Sequence, residues 1–358
     1  MPLISHSGLP TFARLANDGL EVLDPERARH QDIRELHVGL LNMMPDAALE
    51  ATERQFMRLL AGSNRIVQMY VHPFTVPGLT RGDWAQTHID EHYQTFDSIR
   101  AEGLDALIIT GANVTQPDLA KEPFYPPMCE VFAWARDHVA STLCSCLASH
   151  ALWLHEHGLQ RQRLAAKRWG VFGHQVVVRD HPLVVSINTR FNAPHSRFND
   201  VSAAALQQAG NHVLVTSEDG EVLVAVSADG ISTVYLQGHP EYDVLSLAKE
   251  YKREIGRFVA GDRDDYPDFP DNYLDAASEE LLIDYQSEVI LALQYGAPVP
   301  TFPEHRLIKL LDNTWADTGK AIFNNWLGLV YRLTHQDRHQ RFMETVDPGN
   351  PLRWSARS

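Results

Sequence analysis

The chain has 358 residues, of which 44% are hydrophobic and 22% are charged. These values are ordinary for a globular protein and leave room for one large α/β domain with an appendage, or for two modest domains. The formal net charge of −15 at pH 7 argues against nucleic acid or an anionic membrane as the main partner, because an acidic surface is repelled by both.

The N-terminal residues and the cysteines indicate a cellular location. Residues 1–7 have no basic region and no apolar core, so we expect no secretory signal. No apolar run approaches the ~20 residues that span a bilayer. The three cysteines are Cys129, Cys144 and Cys146, and an odd number of thiols is typical of a reducing compartment. We therefore expect a cytoplasmic protein.

The first half of the chain alternates short apolar strands with longer amphipathic helices, the pattern of a parallel sheet. The predicted strands are 36–41, 66–71, 106–109 and 140–144, and the predicted helices are 47–60, one within 83–98, 131–138 and 148–156. We expect a turn at 110–112 after the third strand and a helix end at Gly158.

The second half predicts antiparallel additions to this sheet and then a helical extension. The predicted strands are 171–178, 213–215, 222–226 and 233–237, and the predicted helices are 244–258, 276–293 and 317–333. We therefore predict a flavodoxin-like three-layer α/β fold with a mostly parallel sheet. The main domain is expected at 1–262, with a helical extension at 263–358 that packs on it.

The run Gly238-His239-Pro240-Glu241-Tyr242-Asp243 is the most informative stretch when it is combined with Cys146. Cys146 lies where a predicted strand meets a predicted helix, and the N-terminus of a helix favours a thiolate. His239 can take the thiol proton, because the carboxyl ends of parallel strands converge in space. Glu241 would hold the imidazole in the useful tautomer, so this layout predicts a Cys146-His239-Glu241 triad.

Backbone amides near the thiol can complete such a site. The amide of Leu147, with one from Gly111 or Ala112, is expected to form an oxyanion hole. The residues alone leave another interpretation open, in which Cys146 is a core thiol and 239–241 is an ordinary surface turn.

The chain as a whole resembles the homoserine O-succinyltransferases, which are acyltransferases of methionine biosynthesis with a class I glutamine-amidotransferase-like fold. The resemblance covers roughly residues 1–260 and resumes near 315–331. Five motifs in order carry it: Leu41-Asn42-Met43-Met44-Pro45, Ile109-Thr110-Gly111-Ala112, Ser141-Thr142-Leu143 up to Cys146, Ala193-Pro194-His195-Ser196-Arg197, and Gly238 to Asp243.

The resemblance implies roles for particular residues. Cys146 would carry an acyl thioester, and His239, supported by Glu241, would be the general base. Lys167 matches a substrate-binding lysine. In a second region, Ser196 matches a residue that contacts the amino-acid acceptor.

Arg253 matches an arginine that holds the acceptor's carboxylate, for which a bidentate guanidinium is well suited. Without the resemblance, Lys167 would be a surface lysine, Ser196 a loop residue, and Arg253 part of a solvated helical stripe.

Thr115 occupies the position that separates acyl donors in this family, where glycine accompanies succinyl-CoA and glutamate accompanies acetyl-CoA. Thr115 carries no charge and can donate a hydrogen bond to the distal carboxylate, so a succinyl donor is favoured. Acetyl-CoA stays open as the donor. L-serine stays open as the acceptor, because one methylene is worth only ~1–3 kcal/mol in a pocket. The family usually has tryptophan where this chain has Leu147.

Two other classes of protein fit part of this pattern. A glutamine-hydrolysing amidotransferase shares the triad but usually has glycines beside its cysteine, and a non-catalytic binding module would be expected to lose a triad residue. We expect no permanently bound cofactor, acyl-CoA as co-substrate, and a homodimer that binds small molecules only. No metal site is expected: His335 and His339 have helical ligand spacing, as a metal pair can, but lack an evident third ligand.

Overall fold

The computed structural model describes residues 2–31, 33–63 and 67–355 of the chain. Within them a single mixed sheet forms the centre of the molecule. Its strands are β1 (Leu3–Ile4), β2 (Val22–Leu23), β3 (Glu35–Met43), β4 (Gln68–Phe74), β5 (Ala106–Ala112), β6 (Ser141–Ser145), β7 (Gln162–Val176), β8 (Arg190–Asp200), β9 (His212–Ser217), β10 (Val222–Val226) and β11 (Thr233–Leu236).

Helices connect these strands and continue after them. The α-helices are α1 (Pro10–Asn17), α2 (Pro25–Arg29), α3 (Leu49–Ser63), α4 (Asp83–His92), α5 (Phe96–Glu102), α6 (Tyr125–His138), α7 (Leu147–His157), α8 (Ala203–Gln208), α9 (Ser246–Ala260), α10 (Ala276–Tyr295), α11 (Glu304–Leu307) and α12 (Ala316–Leu333). Short 3₁₀ turns lie at Asp46–Ala48, Leu119–Lys121 and Pro182–Val184.

The strand order is β2-β1-β4-β3-β5-β6-β11-β10-β9-β7-β8. Every pairing from β2 to β11 in this order is parallel, and every pairing from β11 to β8 is antiparallel. The predicted mostly parallel sheet with antiparallel additions is therefore confirmed. β6 lies between β5 and β11, so the strand that leads to Cys146 is central.

Alternate side chains of each strand are buried on opposite faces of the sheet. In β5, Ala106 and Ile108 join one hydrophobic core, while Leu107 and Ile109 join the other. This alternation follows from the two-residue period of a strand. The first core also contains residues of α1, α3 and α12, and the second contains residues of α6, α7 and α8. Helices thus cover both faces, which is the predicted three-layer arrangement.

Several predicted boundaries were wrong for identifiable reasons. The turn expected at 110–112 belongs to β5, which continues to Ala112. The helix predicted to begin at 131 begins at Tyr125, and prolines occupy its first turn, where no intrahelical N–H is needed. The one helix expected within 83–98 is two, α4 and α5, and Thr95 caps the second by accepting from the Ser98 amide.

The sheet is also larger than predicted. β8 was missed because its eleven residues, Arg190–Asp200, mix charged, amide and small side chains. β7 extends far beyond the predicted 171–178 in the N-terminal direction. Of the predicted strand at 66–71, residue 66 lies outside the described part of the chain, and β4 continues to Phe74.

The helices after residue 262 pack in two places. α10 joins α9 in a third hydrophobic core that includes Trp169 of β7. α12 instead packs into the first core, where the indole N–H of Trp326 donates to Ser141 Oγ at 2.8 Å. The division at residue 262 stays a prediction. In the described part of the chain, no helix combines the length and apolar character that crossing a membrane requires.

Candidate active site

Cys146 occupies a sharp turn between β6 and α7. Its φ of 50° and ψ of −107° lie in a region that non-glycine residues rarely adopt. The Cys146 amide donates to the carbonyl of Leu236 in β11 at 2.6 Å, which fixes the turn to the neighbouring strand. The thiol is half-buried and lies at the N-terminus of α7, where the helix dipole favours a thiolate.

His239 and Glu241 approach this turn from the loop after β11. β11 pairs with β6 in parallel, with Tyr235 opposite Cys144, so both strands end at the same edge of the sheet. His239 Nδ1 lies 2.8 Å from Glu241 Oε1, and the other side of the ring makes a hydrogen bond with Cys146. The structure therefore brings Cys146, His239 and Glu241 together in the order that a triad requires.

The charge state of His239 follows from its neighbours. Burial opposes the imidazolium form, but the charge of Glu241 and hydrogen bonds with Cys146 and Glu241 raise the pKa of His239 to about 10. The ring therefore carries two protons at neutral pH. One N–H donates to the buried carboxylate of Glu241, and the other is available to the Cys146 sulfur, which is the pairing that activates a cysteine nucleophile.

Gly238 allows His239 to reach this position. A Cβ at Gly238 would lie 2.6 Å from Leu223 Cδ1 and 2.9 Å from the Pro194 carbonyl oxygen. The next residue, His239, donates its amide to that same carbonyl at 2.8 Å. The loop thus lies directly against β8 and β10, and any side chain at Gly238 would push His239 away from Cys146.

The backbone expected to form an oxyanion hole lies beside the thiol. Ile109 of β5 pairs with Cys144 of β6, so the end of β5 is next to the Cys146 turn. A Cβ at Gly111 would lie 3.8 Å from the Cβ of Leu147. The Leu147 amide begins α7 and has no acceptor within its helix.

A second polar cluster lies around Glu250 on α9, and sequence reasoning missed its central residue. Glu250 Oε2 accepts from Ser196 Oγ at 2.6 Å and lies 3.2 Å from Lys167 Nζ. Its other oxygen accepts from the hydroxyl of Tyr242 at 2.8 Å. Burial opposes the charge of Glu250, but Lys167, Ser196 and Tyr242 together lower its pKa. Lys167 and Ser196, which were predicted to bind substrate, therefore meet at one ionised carboxylate.

Tyr242 joins this cluster to the triad. Its ring stacks on the imidazole of His239 with centroids 4.4 Å apart and an interplanar angle of 15°. Its carbonyl accepts from the indole N–H of Trp315 at 2.9 Å. Tyr242 is part of the 238–243 run, whereas Glu250 has no sequence signal beyond its place on an amphipathic helix.

Arg253 and Thr115 lie apart from these clusters. Arg253 is on α9, one turn after Glu250, with 57% of its side chain exposed and Glu254 at 3.8 Å. Thr115 is exposed, and its amide and hydroxyl both donate to Glu122, the hydroxyl at 3.3 Å. Neither contacts the triad directly, so their predicted roles depend on a bound substrate.

The expected helical pair His335 and His339 is not on a helix, because α12 ends at Leu333. Within residues 2–31, 33–63 and 67–355, no group of three or more histidine, cysteine or acidic side chains is placed to hold a metal ion. Nothing in this part of the chain supplies the donor set of a metal centre.

Among solved structures, the fold is similar to two glutamine amidotransferases. The protein from Thermotoga maritima has a TM-score of 0.42 and 13% identity, covering 83% of this chain and 98% of its own. The protein from Methylobacillus flagellatus has a TM-score of 0.43 and 12% identity, covering 83% and 95%.

Sequence similarity to curated proteins is much closer. A homoserine O-succinyltransferase of Allochromatium vinosum is 58% identical, over 98% of this chain and 99% of its own. The enzymes of that name from Methylococcus capsulatus and Thiobacillus denitrificans are 56% and 54% identical, each over 98% of this chain and 99% of their own. The family model described as homoserine O-succinyltransferase matches residues 2–336. The chain therefore belongs to the homoserine O-succinyltransferase family.

Proposed function

We propose that this protein transfers a succinyl group from succinyl-CoA to the hydroxyl of L-homoserine, a step of methionine biosynthesis. The observation that carries the proposal is the Cys146 turn, whose thiol makes a hydrogen bond with an imidazole held by Glu241 at 2.8 Å. Such a group is suited to a covalent acyl intermediate. Membership of the family supplies the donor and the acceptor.

In the first half-reaction, the Cys146 thiolate attacks the thioester carbonyl of succinyl-CoA. Amides of Leu147 and of the Gly111–Ala112 segment donate to the oxyanion that forms. When the bond between the carbonyl carbon and CoA sulfur breaks, the leaving CoA thiolate takes the proton of the His239 imidazolium. Preorganised donors of this kind contribute about 3–4 kcal/mol to such a step.

In the second half-reaction, neutral His239 accepts the proton of the homoserine hydroxyl while the oxygen attacks the enzyme thioester. The bond to Cys146 sulfur breaks, O-succinylhomoserine leaves, and the thiolate and imidazolium are restored. His239 can be neutral here because the thiolate that stabilised its proton is now an uncharged thioester. Holding the hydroxyl against the thioester contributes at most ~7–11 kcal/mol.

The cluster around Glu250 is suited to hold the acceptor. Homoserine carries an ammonium and a carboxylate, and Glu250 and Ser196 offer oxygens to the first. Lys167 and the exposed Arg253 offer positive charge to the second. Tyr242 lies between this cluster and His239, so an acceptor bound here would have its hydroxyl close to the general base.

The function is tested by CoA release from purified protein with succinyl-CoA or acetyl-CoA, each supplied with L-homoserine or L-serine. We expect the fastest turnover with succinyl-CoA and homoserine. Turnover that is fastest with acetyl-CoA would contradict succinyl-CoA as the donor. No turnover with any of the four pairs would contradict homoserine acylation altogether.

Glu250→Gln is expected to raise KM for homoserine about 10-fold to 100-fold, because a hydrogen bond to a charged group is lost in the acceptor site. The rate of Cys146 acylation, measured as a CoA burst without acceptor, is expected to change far less. Glu304→Gln is the matched control, since the ion pair of Glu304 is with exposed Lys252 at the surface. If the burst rate fell by the same factor as the KM for homoserine rose, the acceptor role of Glu250 would be contradicted.

The pH dependence of acylation follows from His239. Its raised pKa means that the imidazolium persists as pH rises from 6.5 and is lost near pH 10, so the burst rate is expected to fall only at that alkaline limit. Glu241→Gln removes the charge that supports the proton, so the alkaline limb is expected at lower pH. Burst rates across pH 6 to 11 check this, and an unchanged limb in Glu241→Gln would contradict the pair.

Acyl-CoA would be a co-substrate rather than a resident cofactor. A homodimer and a cytoplasmic location stay predictions. Cys129, Cys144 and Cys146 are all free thiols, which is compatible with a reducing compartment.

A further inference from the structure

Arg161 is an arginine without a partner at the edge of the active site. It immediately precedes β7 and its side chain is half-buried. Across the described part of the chain, its guanidinium makes no hydrogen bond and no ion pair. A guanidinium has five donors that normally bind carboxylates, phosphates or carbonyls. An arginine in this state at a site for an anionic substrate needs an explanation.

The neighbours of Arg161 place it next to the nucleophile. Burial lowers the pKa of Arg161, and the two groups whose charges oppose this effect are Cys146 and Glu122. The charge of Arg161 also acts on His150, whose pKa is lowered to about 3 mainly by burial. Cys146 is the N-cap of α7, and His150 lies in the first turn of that helix. Arg161 therefore lies beside the first turn of α7.

Glu122 does not accept a hydrogen bond from the guanidinium of Arg161. Its carboxylate is buried and is already used by the loop that carries Thr115. It accepts from the amides of Thr115 and Gln116, the second at 2.6 Å, and from the Thr115 hydroxyl at 3.3 Å. Glu122 thus anchors this loop and supplies a general negative field, while the donors of Arg161 stay free.

We propose that Arg161 binds the distal carboxylate of the succinyl group while that group is attached to CoA and then to Cys146. Two methylenes separate this carboxylate from the thioester carbon, so a cation beside Cys146 is at a suitable range. A planar guanidinium can bind a carboxylate through two parallel hydrogen bonds. The proposal deepens the succinyl transfer proposed above and rests on it.

The sequence suggested that the Thr115 hydroxyl donates a hydrogen bond to the distal carboxylate, but in the folded chain Thr115 has a different role in the choice of acyl donor. Its hydroxyl already donates to Glu122, so it is not needed as the donor to succinate. A small uncharged residue at Thr115 leaves the carboxylate free to reach Arg161, whereas a glutamate would repel it. In this arrangement Arg161 attracts the distal carboxylate, and the small side chain of Thr115 leaves space for it.

The test uses two donors of equal chain length, succinyl-CoA and butyryl-CoA, which differ by the distal carboxylate. The measured quantity is the second-order rate of CoA release in the burst, for the wild type, Arg161→Met and Arg161→Lys. Arg136→Met is the matched control, because Arg136 is 62% exposed and its ion pair is with its neighbour Asp137. Thermal unfolding of each variant shows whether it is folded.

We expect Arg161→Met to slow acylation by succinyl-CoA about 10-fold to 100-fold and to leave acylation by butyryl-CoA within a few-fold of wild type. Arg161→Lys is expected to keep part of the preference for succinyl-CoA, because it keeps the charge. Arg136→Met is expected to match the wild type with both donors.

Three results would overturn the inference. If Arg161→Met lowered the rate of CoA release equally with both donors, Arg161 would bind the CoA phosphates or would act in folding only. An unchanged succinyl rate in a folded Arg161→Met protein would show that the guanidinium binds nothing in the reaction. A wild type that neither donor acylates would contradict the proposed function itself, and this inference with it.

Discussion

Cys146→Ala is expected to lower the turnover of succinyl-CoA and homoserine by a factor of about 10⁴ to 10⁶, the loss that follows removal of a nucleophile from a triad. The reason is that Cys146 places its thiol at the strained turn, next to His239 and the N-terminus of α7. Steady-state release of CoA measures the effect. Substrate binding is expected to survive, because the Glu250 cluster and Arg161 are untouched.

Cys144→Ala is the matched control for this loss. Cys144 is two residues away in β6, but it is fully buried in the second core, and burial raises the pKa of its thiol. A cysteine to alanine change there creates a small cavity, which costs about 1 kcal/mol of stability. Turnover is expected to stay near wild type. If both variants lost turnover to a similar extent, the cause would be disruption of β6 and not removal of the nucleophile.

His239→Gln is expected to give the second largest loss, about 10²-fold to 10⁴-fold in kcat, the usual contribution of a positioned general acid and base. Glutamine keeps polar atoms near Glu241 but cannot carry the proton between sulfur, CoA and the acceptor hydroxyl. Both half-reactions are expected to slow, which separate measurements of the burst and of homoserine-dependent release can check.

His155→Gln provides the control for the histidine change, since His155 lies exposed on the last turn of α7. It is expected to behave as the wild type. If His239→Gln slowed only the homoserine-dependent step and left the burst intact, the imidazolium would not be needed to protonate the departing CoA. The first half of the mechanism would then be wrong.

Much of the fold could be predicted because local pattern and final position agree. The run Ala106–Ile109 is apolar at every position, and a strand buried on both faces requires that. Cys146 could be placed in a strand-to-helix turn because β6 before it is a short strand and the helical pattern of α7 after it ends at Gly158, which adopts the left-handed conformation of a C-terminal cap.

The missed elements are those whose partners lie far away in the chain. β8 is polar on much of its length, and it is a strand because β7 pairs with it from Gln162 to Gln175. Glu250 was invisible as a site residue for a related reason. Its three partners, Lys167, Ser196 and Tyr242, come from β7, β8 and the loop after β11, and only the folded sheet brings them together.

The role of Arg161 could not be predicted from the sequence either. In the sequence it is one basic residue in a basic stretch, with Arg163, Lys167 and Arg168 close behind. Arg163 lies over the ring of Phe198, and Arg168 pairs with Asp219 and Glu221. The absence of a partner for Arg161 among the described residues distinguishes it from them, and that is a property of the folded chain alone.

The central claim is that Cys146 carries the succinyl group between the two substrates, and mass spectrometry after digestion tests it most directly. The protein is mixed with succinyl-CoA without acceptor, quenched in acid and digested. We predict one succinyl group, on the peptide that contains Cys146, which disappears when homoserine is added and O-succinylhomoserine forms. Rapid turnover of both substrates with no adduct, or with the adduct on another residue, would contradict the account.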